Sequence, residues 1–196
     1  MKKSFVFVFI LLGALQFSWA QSQTAVTYSV GFGLGDLGDF VGKTSFRGIS
    51  IDYRKLVQPN IGVGFTAGWN VFYEEKAYDT YSLDNQALSG KQYRYSNQFP
   101  VLLSGTYFVK PGEDLNPYVG LGAGTMYTLR NTDMSLYTLE QDAWHFSVVP
   151  EIGIQYSVDD STALLVGVKY VNGFQAGDLD KSQSYLTLNV GFVFSK

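Results

Sequence analysis

The one histidine of this 196-residue chain, His145, is followed two positions later by Ser147 and four further on by Glu151. A base, a hydroxyl and a carboxylate in one short stretch are the parts of nucleophilic catalysis. In a β-strand all three share a face, because side chains alternate with period two. Two positions along one strand face separate base and hydroxyl by roughly 6–7 Å, a loose spacing for proton transfer before any tilt or bulge. A second set comprises Asp52, Arg54, Glu151 and Lys169, mid-strand charges on small, polar faces that sum to zero. Asp52 and Arg54 are two apart on one face. Glu151 and Lys169 are nearly equidistant from the turn at Asp159-Asp160, so they are expected to oppose each other on adjacent strands. If that face is enclosed, the charges must pair, because an unpaired buried charge costs several kcal/mol. The expectation is a salt-bridged interior; the alternative is a gate or a narrow polar path.

Three further motifs match known site patterns only as strings. Gly33-x-Gly35-x-x-Gly38 has the glycine spacing of a dinucleotide site and follows a strand, but the residues after it read as a loop, not as a phosphate-facing helix. Gly42-Lys43-Thr44 resembles the end of a phosphate loop, with three residues instead of four back to Gly38 and no helix to follow. Asp178-x-Asp180-x-Ser182 begins like a calcium loop, but Gln183 and Asn189 stand where its glycine and closing glutamate belong. No cofactor and no metal site is expected.

The elements that carry these residues are strands. Period two recurs eight times. Val26, Tyr28, Val30, Phe32 and Leu34 alternate with Thr27, Ser29, Gly31 and Gly33. Comparable apolar faces are Ile49–Tyr53, Ile61–Val71, Val101–Tyr107 (with Leu102 out of phase), Val119–Tyr127, Trp144–Tyr156 and Leu164–Tyr170. The eighth is Leu186, Leu188, Val190, Phe192 and Phe194 against Thr187, Asn189 and Gly191. Between strand ends, the apolar faces hold no charged residue, as expected where a mid-bilayer Arg or Lys costs roughly 2–4 kcal/mol. The opposite faces are Gly, Ser and Thr with a few charges. Bulky residues on every strand would overfill an eight-stranded bore, so the greasy face is expected to point outward into lipid, not inward around a ligand as in a soluble barrel.

The gaps alternate in length. Asp36–Ser45, Glu74–Gln92, Arg130–Asp142 and Asn172–Gln183 are long; Leu56–Asn60, Lys110–Asn116 and Ser157–Ser161 are short and rich in turn residues. This predicts short periplasmic turns, longer outer loops and both termini in the periplasm. Tyr53, Tyr107, Tyr156, Phe192 and Phe194 would form an inner aromatic belt, and Trp69, Tyr73, Tyr95, Tyr127, Trp144 and Tyr170 an outer one. Pro100 and Pro150 interrupt strands, each predicting a bulge or a register adjustment.

Residues 1–20 read as a cleaved signal peptide: Lys2 and Lys3, an apolar run over Phe5–Leu15, then Ser18-Trp19-Ala20. Residues 21–196 form the predicted barrel domain. The leader holds two lysines and no acid, so the net charge of −3 becomes −5 after its removal. A mildly acidic chain argues against nucleic acid. Zero cysteines exclude disulfides and thiolate chemistry, while 21 Gly, 14 Tyr and 15 Phe suit a membrane barrel.

On the leader, the eight strands, the run Tyr118-Val-Gly-Leu-Gly-Ala-Gly124 and the end Asn189-Val-Gly-Phe-Val-Phe194, the chain resembles small outer-membrane barrels of the OmpA/OmpX/OmpW type. The fold expected is all-β, an eight-stranded antiparallel up-and-down transmembrane barrel. The resemblance implies outer-membrane lipid and the barrel-assembly machinery as partners. Gly191, Phe192 and Phe194 would lie on the strand that carries the assembly signal; typical members end on the aromatic itself, whereas Ser195 and Lys196 follow it here. Family members serve as envelope-stabilising proteins, adhesion surfaces or small-solute conduits. The His145-x-Ser147 pair with Glu151 also resembles outer-membrane lipid A deacylases, but it sits on a lumen face that a lipid substrate would not reach, and it lacks that family's basic and polar flanks. The expectation is therefore no enzyme: a structural, surface-interacting barrel with a mostly plugged polar lumen, a narrow conduit for small solutes as the alternative, and a surface partner that the sequence does not name.

Overall fold

The computed structural model describes residues 21–83, 86–134, 137–177 and 179–196. The expected signal peptide lies outside them, as does Asp178 of the calcium-like string. The order is β1 (Ser22–Leu34), α1 (Gly35–Phe40), β2 (Gly48–Gln58), β3 (Ile61–Leu83), β4 (Gln86–Phe108), β5 (Leu115–Met134), β6 (Tyr137–Ser157), β7 (Thr162–Gly173) and β8 (Gln183–Ser195). Each strand pairs antiparallel with the next, and β8 returns to β1, giving a closed eight-stranded barrel. The closing seam runs from Gln23↔Ser195 to Leu34↔Ser184, and Lys196 exchanges backbone hydrogen bonds with Ser22.

Alternation determines what faces where. On β8, Leu188, Val190, Phe192 and Phe194 are exposed on the outer wall, whereas Thr187 and Asn189 are buried in the bore. The same holds for Val26, Tyr28 and Phe32 against Thr27 and Ser29 on β1. The greasy faces point outward, as the bulk argument requires. One aromatic belt is a run of rings: Trp69 stacks on Phe99 at 5.8 Å, Phe99 on Tyr127 at 6.3 Å, and Tyr127 meets Trp144 at 5.0 Å.

Three sequence expectations require correction. The long gaps Glu74–Gln92 and Arg130–Asp142 are not irregular loops. β3 and β4 stay paired to Leu83↔Gln86, and β5 and β6 to Met134↔Tyr137. β2 pairs with β3 only up to Gly48↔Asn70, and β7 with β6 only up to Ser147↔Gly173. A sheet of β3–β6 therefore stands above the far mouth, opposite the end that carries the termini. Second, neither proline shifts the register. The β3–β4 ladder lapses opposite Pro100 and resumes in phase at Asn70↔Gln98, and the β6–β7 ladder does the same around Pro150. A missing N–H removes a bond but adds no residue, so the phase is kept. Third, a short helix does form on the Gly33/Gly35/Gly38 string, beginning at Gly35. It is only six residues long, has no side-chain cap and buries Leu37. A Cβ on Gly38 would stand 2.8 Å from the Gly33 carbonyl oxygen, so this glycine serves close backbone packing and not phosphate binding.

Candidate functional site: the barrel lumen

Alternation carries the inward-facing charges into one layer across the bore. Lys169 Nζ lies 2.9 Å from both carboxylate oxygens of Asp52. Arg54 Nη2 reaches the two Glu151 oxygens at 3.3 and 3.4 Å. The longer contacts are Lys169 to Glu151 at 3.9 Å and Arg54 to Asp52 at 4.0 Å. Glu151 and Lys169 do oppose each other in register. The short pairs are nonetheless the ones that cross the lumen, from β2 to β7 and from β2 to β6. Thr66 donates to Asp52 at 2.5 Å and Tyr118 to Glu151 at 2.6 Å. The Arg54 guanidinium also lies over the Tyr118 ring, 5.1 Å from its centre. All four charged residues are buried.

Apolar layers lie on both sides of the charges, which the sequence reading did not foresee. Toward the far mouth, Leu37, Val41, Phe72, Leu102, Met126, Val149, Val171 and Tyr185 pack into one cluster. Toward the terminal end, Ala25, Phe108, Tyr118, Leu165 and Val193 form another. The signals were there as doublets, Leu102-Leu103 and Val148-Val149, in which one member must face inward. Lumen cavities beside the charge layer measure about 20 and 10 Å³, room for about one water each. The terminal end opens as a funnel of about 670 Å³ floored by Gln23, Phe108 and Gln155.

His145 and Ser147 face the lumen, and each is bonded to a backbone carbonyl. His145 Nδ1 lies 2.7 Å from the Phe174 carbonyl oxygen, Ser147 donates to the Asn172 carbonyl at 3.1 Å, and Glu151 is engaged by Arg54 and Tyr118. Gly42 donates its N–H to Glu74. Among the described residues, no group of three or more His, Asp or Glu could hold a metal ion.

At the far mouth, α1 packs Leu37 and Phe40 against the apolar cluster. Phe40 lies between two guanidinium groups, Arg94 at 5.2 Å and Arg130 at 4.6 Å from its ring centre. Asp36 bonds Arg130 at 2.7 Å and accepts from Gln183 at 3.1 Å, and Arg130 donates to Gln183. Burial pushes the Asp36 carboxyl up, but the Gln183 hydrogen bond and the Arg130 charge outweigh it and hold the group below its usual 3.8. A folded value below the unfolded one stabilises fully above the unfolded value and is lost as pH falls through the folded one. Protection of the Val41 amide, which bonds the Leu37 carbonyl at 2.8 Å, is therefore expected, after correction for intrinsic exchange, to hold at pH 6 and to drop as pH falls below 3.8. Asp36→Asn should reproduce much of that drop at neutral pH.

Residues 5–194 match the model of the outer membrane protein beta-barrel domain family. The chain belongs to this family. Membership places it in the bacterial outer membrane, so the exposed apolar wall faces lipid. Among solved structures, a major outer membrane protein of Thermus thermophilus is similar at TM-score 0.57 and 12% identity, covering 90% of this chain and 100% of that one. OprG of Pseudomonas aeruginosa is similar at 0.55 and 16%, covering 90% and 96%. Ail, the attachment invasion locus protein of Yersinia pestis, is similar at 0.54 and 15%, covering 89% and 99%. At these identities the likeness is one of fold. No curated protein sequence matches the chain.

Within the family frame, Phe192 and Phe194 lie on the lipid-facing side of β8, and Gly191 lies inward where β8 crosses β1 at Thr27.

Proposed function

We propose that this protein is a closed barrel that neither catalyses nor conducts, and that presents its protruding β3–β6 sheet at the cell surface, with both termini in the periplasm. The observation that carries this reading is the lumen cross-section: crossed ion pairs between two apolar layers, with cavities of about 20 and 10 Å³ beside the charges. A solute would have to part four paired charges and then an apolar layer, and each broken buried pair costs about 3–5 kcal/mol. Above the mouth, β3 beyond Val71 and β6 before Phe146 have no strand on their outer sides among the described residues. Unpaired strand edges are templates for an added strand, so the partner chemistry that suits them is an extended peptide. Tyr78 and Tyr137 are exposed on this sheet and offer ring surface to such a partner.

The purified, refolded protein in planar bilayers is expected to show no steady conductance steps. Steady steps that change with Lys169→Ala or Glu151→Ala would overturn the closed reading. Orientation has its own test. A membrane-impermeant amine reagent on intact cells should label Lys91 and Lys181, both exposed at the far end, and spare Lys110 in the turn between β4 and β5. The reverse pattern would invert the topology.

A further inference from the structure

The outer wall is not uniformly smooth. Near the far end, a groove of about 510 Å³ runs across β1–β4, lined by Tyr28, Arg47, Ile49, Trp69, Val71 and Tyr95. Local pairing explains it. The β1–β2 ladder ends at Tyr28↔Ile49 and the β2–β3 ladder at Gly48↔Asn70. The chain before β2 then bends over the wall. Tyr28 donates its hydroxyl to the Phe46 carbonyl, and the Arg47 carbonyl accepts from Val71 N–H at 2.9 Å. Trp69 is fixed from beside, its indole N–H 3.3 Å from Asn97 Oδ1.

The groove is polar at one end only. Arg47 is exposed, its guanidinium 5.7 Å from the centre of the Tyr73 ring, which in turn packs on Tyr95 at 4.8 Å. Among the described residues, Arg47 meets no carboxylate within ion-pair distance, and Glu75, on the same face two residues beyond Tyr73, is already bonded to Lys91 at 2.6 Å. Below this cation toward the bilayer centre come Val71, Trp69, Ile49 and Tyr28, without a charge. A cation at the interface above an apolar trough has the polarity of an amphiphile lying along the wall, anionic head outward and acyl chain inward. An uncompensated guanidinium beside lipid is matched by a phosphate, which it can bind through paired N–H donors. The volume lies within the range of ordinary ligand sites.

We propose that this groove is a binding site for one phosphorylated acyl lipid of the outer leaflet, of the lipid A class, with a phosphate on Arg47 and an acyl chain against Ile49, Trp69 and Val71. The choice of leaflet rests on the orientation proposed above, which the amine-labelling experiment tests separately.

The test is native mass spectrometry of the full folded chain in detergent, offered equal amounts of lipid A, phosphatidylglycerol and phosphatidylethanolamine. The protein is expected to retain one lipid A in preference to the other two. Arg47→Ala should reduce that retention at least tenfold, and Arg47→Lys should restore part of it. Ile49→Trp, which fills the trough without touching Arg47, should also reduce it. Each variant is first checked for the heat-modifiable gel shift of a closed barrel. Undiminished lipid A retention by folded Arg47→Ala would overturn the site. Arg47-dependent retention of phosphatidylglycerol without preference for lipid A would overturn the lipid assigned to it, whatever the labelling experiment says of orientation.

Discussion

Lys169→Met is expected to lower the stability of the barrel by about 3–5 kcal/mol, the range for leaving one partner of a buried ion pair without the other. Lys169 is the closest cation to Asp52, at 2.9 Å, whereas Arg54 is 4.0 Å away and already spends its short contacts on Glu151. Methionine has similar length and fills the space, so the loss reports charge and not a cavity. The companion variant Lys169→Met with Asp52→Asn removes the stranded carboxylate and should recover most of the loss. Urea midpoints of the heat-modifiable band in detergent micelles measure both. A single-variant cost under 1 kcal/mol, or no recovery in the double variant, would refute a coupled layer.

Gly191→Val should prevent the barrel from closing. A Cβ at this position would stand 2.6 Å from Thr27 Cα and closer still to the Val26 carbonyl oxygen. Both obstacles are backbone of β1 and neither can rotate away. Overpacking costs about 1–3 kcal/mol even where neighbours yield, and here the seam between first and last strand must part. The purified variant is expected to show no folded band in refolding into lipid. Gly105→Ala is the control, since nothing lies within 4 Å of its Cβ position, and it should refold as the parent does. The comparison also separates two roles within one strand. Phe192→Ala and Phe194→Ala change only the lipid-facing side, so they should refold in vitro; if β8 carries the assembly signal that the family resemblance implies, their defect shows only in cells.

The barrel was legible because lipid enforces a rule: outside the bore, every second side chain must be apolar. Above the membrane that rule lapses. Both faces of Glu74–Lys76 and Arg130–Asp133 can be polar, so the continued strands lost their period-two signature although their ladders persist. The lumen was legible in part. Glu151 and Lys169 could be matched by counting outward from the Asp159-Asp160 turn, because hairpin register is local. The crossing of Asp52 to Lys169 depends on how far the strands stagger around the ring, which no local count supplies. Tyr118 stood inside a glycine-rich run that suggested a small-residue face, yet its ring fills the space next to Gly153 and Gly167: a Cβ on either would come within 3 Å of it. The glycines marked a small, polar inner face. They are the recess that receives the ring.

The short ion pairs join strands that are not neighbours. Asp52 and Arg54 ride on β2, Glu151 on β6 and Lys169 on β7, with β8 and β1 between them on one side and β3–β5 on the other. Their separation is therefore a chord of the ring, fixed by its circumference. A hoop with one strand too few would force the groups together, one too many would pull them apart, and a seam slipped by one residue would turn a whole row of side chains inside out. The layer thus acts as a caliper: it rewards one diameter and one phase, and it can do so only once the last strand has found the first.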